Sequence, residues 1–121
     1  MANELTVSST LKYQKGSRSV SAGKSGIQLD VAGTDHIRAS QIVGTSEEAL
    51  DIGGITTPGY CFVRNLDSAN FVRIRPATGV SDLIEVPPGG IALFKFAGNI
   101  TAPFVIADTG EVEIEYTIIE A

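Results

Sequence analysis

The chain has 121 residues and a mass of 12.7 kDa, one domain's worth of polypeptide, since domains most often run to ~100–150 residues. Hydrophobic residues make up 43% and charged residues 19%, which is enough apolar material for a core and too few charges for a disordered chain. A net charge of −5 and a pI near 4.7 argue against whole-surface binding to nucleic acid or anionic lipid, and one cysteine cannot make an intrachain disulfide. No run approaches the ~20 apolar residues of a membrane span, and the start Met-Ala-Asn-Glu lacks the basic-then-apolar pattern of a secretion signal. A product made in the cytoplasm, with no membrane partner, is expected.

From Glu4 to Gln14 the odd positions carry Leu5, Val7, Ser9, Leu11 and Tyr13, and the even ones are polar, the period-two alternation of a half-buried strand. Residues 15–26 are small and polar without a period, and predict a flexible basic loop or arm. Alternation resumes at Ile27, Leu29 and Val31. His36 to Val43 predicts a strand with Ile37, Ala39 and Val43 on one face and Ile42 on the other. Thr45 to Glu48 matches the Ser/Thr-x-x-Glu capping box, yet Gly53-Gly54 follows too soon for more than a short turn of helix.

The second half is punctuated by the turn pairs Pro58-Gly59, Asp67-Ser68, Thr78-Gly79, Pro87-Pro88-Gly89-Gly90 and Thr109-Gly110. Between them Tyr60–Leu66, Asn70–Pro76, Asp82–Val86, Gly90–Phe96, Pro103–Ala107 and Glu111–Ile119 have the length of strands. In the last of these, Val112, Ile114, Tyr116 and Ile118 are expected in the core, with Glu111, Glu113, Glu115 and Thr117 facing the other way. Tyr60-Cys61-Phe62-Val63 and Ala92-Leu93-Phe94 are apolar on both faces, as in central strands or surfaces covered by a partner. In all, about eight to ten strands with no long helix indicate an antiparallel sandwich, jelly roll or barrel, in a single domain spanning residues 1–121.

The motifs of catalysis are sparse. A nucleophilic hydrolase would have to use the one histidine, His36, and the one cysteine, Cys61, without a Gly-x-Ser-x-Gly elbow, and Cys61 sits in an apolar run where a thiol is a core residue with a raised pKa. Two isolated ligands cannot make a zinc site, and no Asp-x-Asp-x-Asp loop offers calcium a cage, so no metal or cofactor is expected. Gly23-Lys24-Ser25 resembles the end of a phosphate loop, but Arg18 stands where its first glycine belongs. Asn99-Ile100-Thr101 is a formal glycosylation sequon without a secretion signal. The Glu111, Glu113, Glu115 row reads as a solvated strand face rather than as acids for glycoside cleavage.

Charge is distributed unevenly. Residues 1–46 carry five basic and three acidic side chains, and residues 47–121 carry four and eleven. Lys12, Lys15, Arg18 and Lys24 fall in a segment free of acids, which suits equally an arm that docks on an acidic surface and a loop charged for solubility. These four charges make only a weak nucleic-acid signal, and a nucleic-acid partner is not expected. Arg73 and Arg75 share one strand face and are expected to pair across strands with the Glu111–Glu115 row, or with a neighbouring subunit.

The segments Ala49-Leu50-Asp51-Ile52-Gly53-Gly54, Thr57-Pro58-Gly59-Tyr60 and Phe62-Val63-Arg64-Asn65-Leu66-Asp67-Ser68-Ala69-Asn70-Phe71-Val72 resemble small virion proteins of tailed bacteriophages. The similarity continues through Val86-Pro87-Pro88-Gly89-Gly90 and Leu93-Phe94 to Ala107-Asp108-Thr109-Gly110-Glu111-Val112-Glu113-Ile114-Glu115-Tyr116, and so covers roughly residues 49–121. It implies an all-β antiparallel β-sandwich of jelly-roll type acting, without enzymatic activity, as a capsid decoration or cement protein on the virion surface. Its implied partners are the major capsid protein and further copies of itself, as a dimer or trimer; the charge pattern, separately, offers Lys12, Lys15, Arg18, Lys24, Arg73 and Arg75 as contact residues. Tail, baseplate and head-fibre components share this size class, and a jelly-roll carbohydrate-binding module is the alternative from outside virions.

Overall fold

The alternating segment at Leu5 forms β1 (Leu5–Lys15), and the chain then reverses at once through Gly16 and Ser17 into β2 (Arg18–Leu29). Gly16 has φ +60° and Ser17 does not share the positive sign, the pattern of a type II′ turn, whose twist suits a hairpin and whose first position glycine fills without a Cβ clash. Residues 15–26, expected as a flexible loop, are therefore a tight turn and most of a strand, paired antiparallel with β1. The pairing overrides the poor strand propensity of Ser, Gly and Lys. The register shifts between Val7 and Ser9, where β2 carries one extra residue and Gly26 has φ +67°, a bulge that keeps both halves of the ribbon in phase.

The computed structural model describes residues 3–121, in two compact units. The hairpin belongs to the first unit, which ends at Ala32, and the second runs from Gly33 to Ala121. The second unit contains β3 (His36–Val43), β4 (Glu48–Ala49), β5 (Pro58–Asn65), β6 (Val72–Arg75), β7 (Ile84–Val86), β8 (Ile91–Lys95), β9 (Phe104–Ala107) and β10 (Val112–Glu120). They form two antiparallel four-stranded sheets, in the orders β3-β10-β5-β8 and β4-β9-β6-β7. The fold is an all-β sandwich, with no helix among the described residues.

Both sheets contribute to one core. Val43, Cys61, Val63, Val112, Ile114, Tyr116 and Ile118 from the first meet Val72, Ile74, Val86, Val105 and Ala107 from the second. Each buried Val or Ile side chain of this kind stabilises by ~1.5–3 kcal/mol relative to exposure. β10 is flanked by β3 and β5, and its alternation is resolved as expected: Val112, Ile114, Tyr116 and Ile118 are buried, and Glu113 is exposed. At the foot of β5, Gly59 passes so close to β10 that a Cβ there would lie 2.7 Å from the Ile119 carbonyl oxygen, a contact only glycine permits.

Side chains hold the connections. The Thr45–Glu48 motif starts no helix; instead Glu48 accepts the Gly44 N–H at 2.9 Å and the Gln41 amide at 3.0 Å. Gln41 also takes the Asp51 N–H and donates to the Ala49 carbonyl, tying the crossover after β3 back to that strand. Buried Asn65 donates to the carbonyls of Asn70 and Val86 at 2.9 and 3.1 Å and accepts the Asp67 N–H at 2.8 Å, so its amide is fully satisfied.

Candidate partner-binding surfaces

Residues directly opposite in an antiparallel pair share a face, so the β1–β2 register sorts every hairpin side chain. One face carries Leu5, Val7, Leu11, Tyr13 and Lys15 with their partners Leu29, Ile27, Ala22, Val20 and Arg18. Lys24, opposite Ser9, lies on the same face, whereas Lys12, opposite Ser21, lies on the other among Ser, Thr and Gln. The four bases expected to act together are thus divided three to one. Lys15 and Arg18 face each other beside the turn, a like-charge pair that costs stability unless an acid approaches it. Among the described residues none of these four bases forms an ion pair. The apolar partners Val20 and Ala22 do not stand out in the sequence because the residues around them are small and polar. The signal that would have found them is Gly16-Ser17, a two-residue turn between alternating segments.

Arg73 and Arg75 do share a face, on β6, but the Glu111–Glu115 row belongs to the other sheet, and their partners are different. Arg73 contacts Glu85 and Asp82, each at 3.2 Å, and its guanidinium stacks 4.5 Å from the centre of the Phe71 ring. Arg75 binds Asp82 at 2.6 Å and Glu47 at 2.8 Å. Glu47 also accepts the Thr78 hydroxyl at 2.5 Å and the Gly79 N–H at 3.0 Å, and these bonds, that from Thr78 foremost, hold its carboxyl down at about pKa 2. Arg75 likewise lowers Asp82. This network crosses from β6 to the 44–49 and 77–83 segments, so it fixes loops of the sandwich and leaves these two arginines less available to a partner. It was missed because the pairing acids lie 7 to 28 residues away in sequence, and only sheet register brings them together.

The chain matches no known protein family, curated protein or solved structure. Chemistry must therefore be read from the surfaces themselves. Cys61 points into the core and burial pushes its thiol to about 12, while His36 is exposed on the outward side of the same sheet. The two are not brought together, since Ile118 of β10 faces Cys61 and its neighbour Ile119 pairs with His36. Of the acidic row, Glu115 pairs with Arg64 at 3.4 Å and Glu111 and Glu113 are exposed. A shallow groove between the 76–80 and 99–102 segments is lined by Pro76, Val80, Asn99, Ile100 and Thr101 without any ionisable side chain.

The loops after β5 and β9 are shaped by side-chain hydrogen bonds. Asp67 accepts the N–H groups of Ala69 and Asn70 at 2.9 and 2.6 Å, an Asx turn that lowers its pKa, and Asn70 accepts the Thr109 hydroxyl at 2.9 Å. These residues shape loops of the sandwich. The hairpin, taken by itself, gathers its apolar side chains and three of its bases on one face.

Proposed function

We propose that this protein is a non-enzymatic virion structural protein that binds and stabilises the outside of a tailed-phage icosahedral capsid. The observation that carries the reading is the hairpin: a ribbon 25 residues long from Leu5 to Leu29, with an exposed apolar face and four bases that form no ion pair among the described residues, in a chain whose second unit is an acidic sandwich. An element of that kind needs something to lie on, since a lone two-stranded hairpin is marginal in water. A cement protein offers that combination, a rigid body with an arm that orders on the shell. The likeness of residues 49–121 to small phage virion proteins points the same way. We also read the sheet orders as jelly-roll connectivity: successive strands alternate between the two sheets except at the β6–β7 hairpin.

The reading is tested by counting copies of this chain in purified virions of the phage that encodes it, against the major capsid protein. A number comparable to that of the capsid protein is expected for shell decoration. A few copies per particle would transfer the protein to the tail or a fibre, and absence from the particle would overturn a virion role.

A further inference from the structure

The hairpin's apolar face is exposed at Leu11 (67%), Tyr13 (49%) and Val20 (55%), and Lys15, Arg18 and Lys24 are interspersed on it. Contiguous apolar surface rimmed by charge marks an interaction site. The charges identify the occupant. The first unit, through Ala32, has four bases and two acids, and the second has five bases and twelve acids. Two hairpins laid face to face would set Lys15, Arg18 and Lys24 against their own copies, with no acid on that face to offset them.

The sandwich carries the complementary surface. On the outward side of β3-β10-β5-β8, Ile42 lies opposite Glu113, the Leu66 N–H donates to the Glu113 carbonyl, and Ile91 lies opposite Arg64. Ile42, Leu66 and Ile91 are 61%, 46% and 61% exposed. Glu111 and Glu113 at this end of the sheet have no side-chain hydrogen bond or ion pair among the described residues. We infer that the hairpin of one copy lays its apolar, basic face on this apolar, acidic sheet end of a second copy of the chain. Different patches meet on the two sides, so the contact is heterologous, and repeated use closes a ring when the rotation permits. The inference deepens the self-association that the resemblance to virion proteins implies, with a second copy rather than the shell as the surface under this hairpin face.

The test is the mass of the full chain alone at micromolar concentration, by sedimentation equilibrium or light scattering, with no capsid present. The wild type is expected at twice 12.7 kDa or more. Lys15→Glu/Arg18→Glu/Lys24→Glu and, separately, Glu111→Lys/Glu113→Lys should each weaken assembly by about tenfold or more, with the melt of the sandwich retained. Mixing the two variants should restore it, because each then meets the opposite charge. The neutral sets Lys15→Gln/Arg18→Gln/Lys24→Gln and Glu111→Gln/Glu113→Gln should repeat the loss in weaker form should a reversal fail to fold. A monomeric wild type overturns the inference, as does an acid-end variant that assembles like the wild type, which would place hairpin against hairpin. Neither result would alter the virion copy number, so the two readings fail separately.

Discussion

At the scale of single residues, stability depends on a few positions whose surroundings leave no room for change. Ile114 is fully buried on β10, opposite Gln41 on one side and Asn65 on the other. Ile114→Asp would bury an unpaired charge and should cost about 4 kcal/mol or more, most of the stability of a domain near the lower end of the ordinary ~5–15 kcal/mol, so its melt should fall far below that of the wild type or be lost. A wild-type melt from this variant would mean a register wrong by one residue. Glu47 gives the molecule an acid limb. Its folded pKa of about 2 lies below the ordinary 4.5, so the stability it contributes is complete above pH 4.5 and is lost as pH falls from there through about 2. Asp67, Asp82 and Glu120 are lowered as well and share that limb. Glu47→Gln should lower Tm at pH 7 and flatten the fall in Tm between pH 4.5 and 2, as followed by melts across that range.

At the scale of elements, legibility depended on how locally each strand is specified. β10 could be read position by position because one face is buried and the other is not, so its period of two carries the whole message. β3 was legible to its end residues for the same reason. β2 was not, because both its faces are solvent-exposed apart from Leu29, and only the pairing with β1 makes it a strand. On the capsid reading, the bases of this ribbon act together through their charge. Replacing Lys12, Lys15, Arg18 and Lys24 by Ser should weaken binding to purified capsids, most at low salt, where screening is least. Binding that is unchanged at every ionic strength would reduce the hairpin's charge to solubility. Arg73 and Arg75 serve as a contrast: their guanidiniums are engaged within the sandwich, so Arg75→Ser should lower Tm, with the melt as the readout.

At the scale of the whole molecule, every residue of the hydrophobic core lies in the unit Gly33–Ala121. A chain of residues 33–121 should therefore fold alone, with a cooperative melt within a few degrees of the full-length protein. A broad or absent transition would show that the sandwich depends on residues 1–32 for stability. The second unit has an acidic balance and the first a basic one, so the change in sign along the chain follows the boundary between the units.

The fold class, the turns of the second half and the inward face of β10 were determined by the sequence itself, because side-chain alternation and turn residues act over a few neighbours. Tertiary structure alone decided that residues 15–26 form a strand, that Arg73 and Arg75 meet Glu47, Asp82 and Glu85, and that Lys12 is parted from the other three bases. Each of these depends on which strand lies beside which and in what register. That choice is made by the burial of the core as a whole and by the closing of turns, over separations that no local period records.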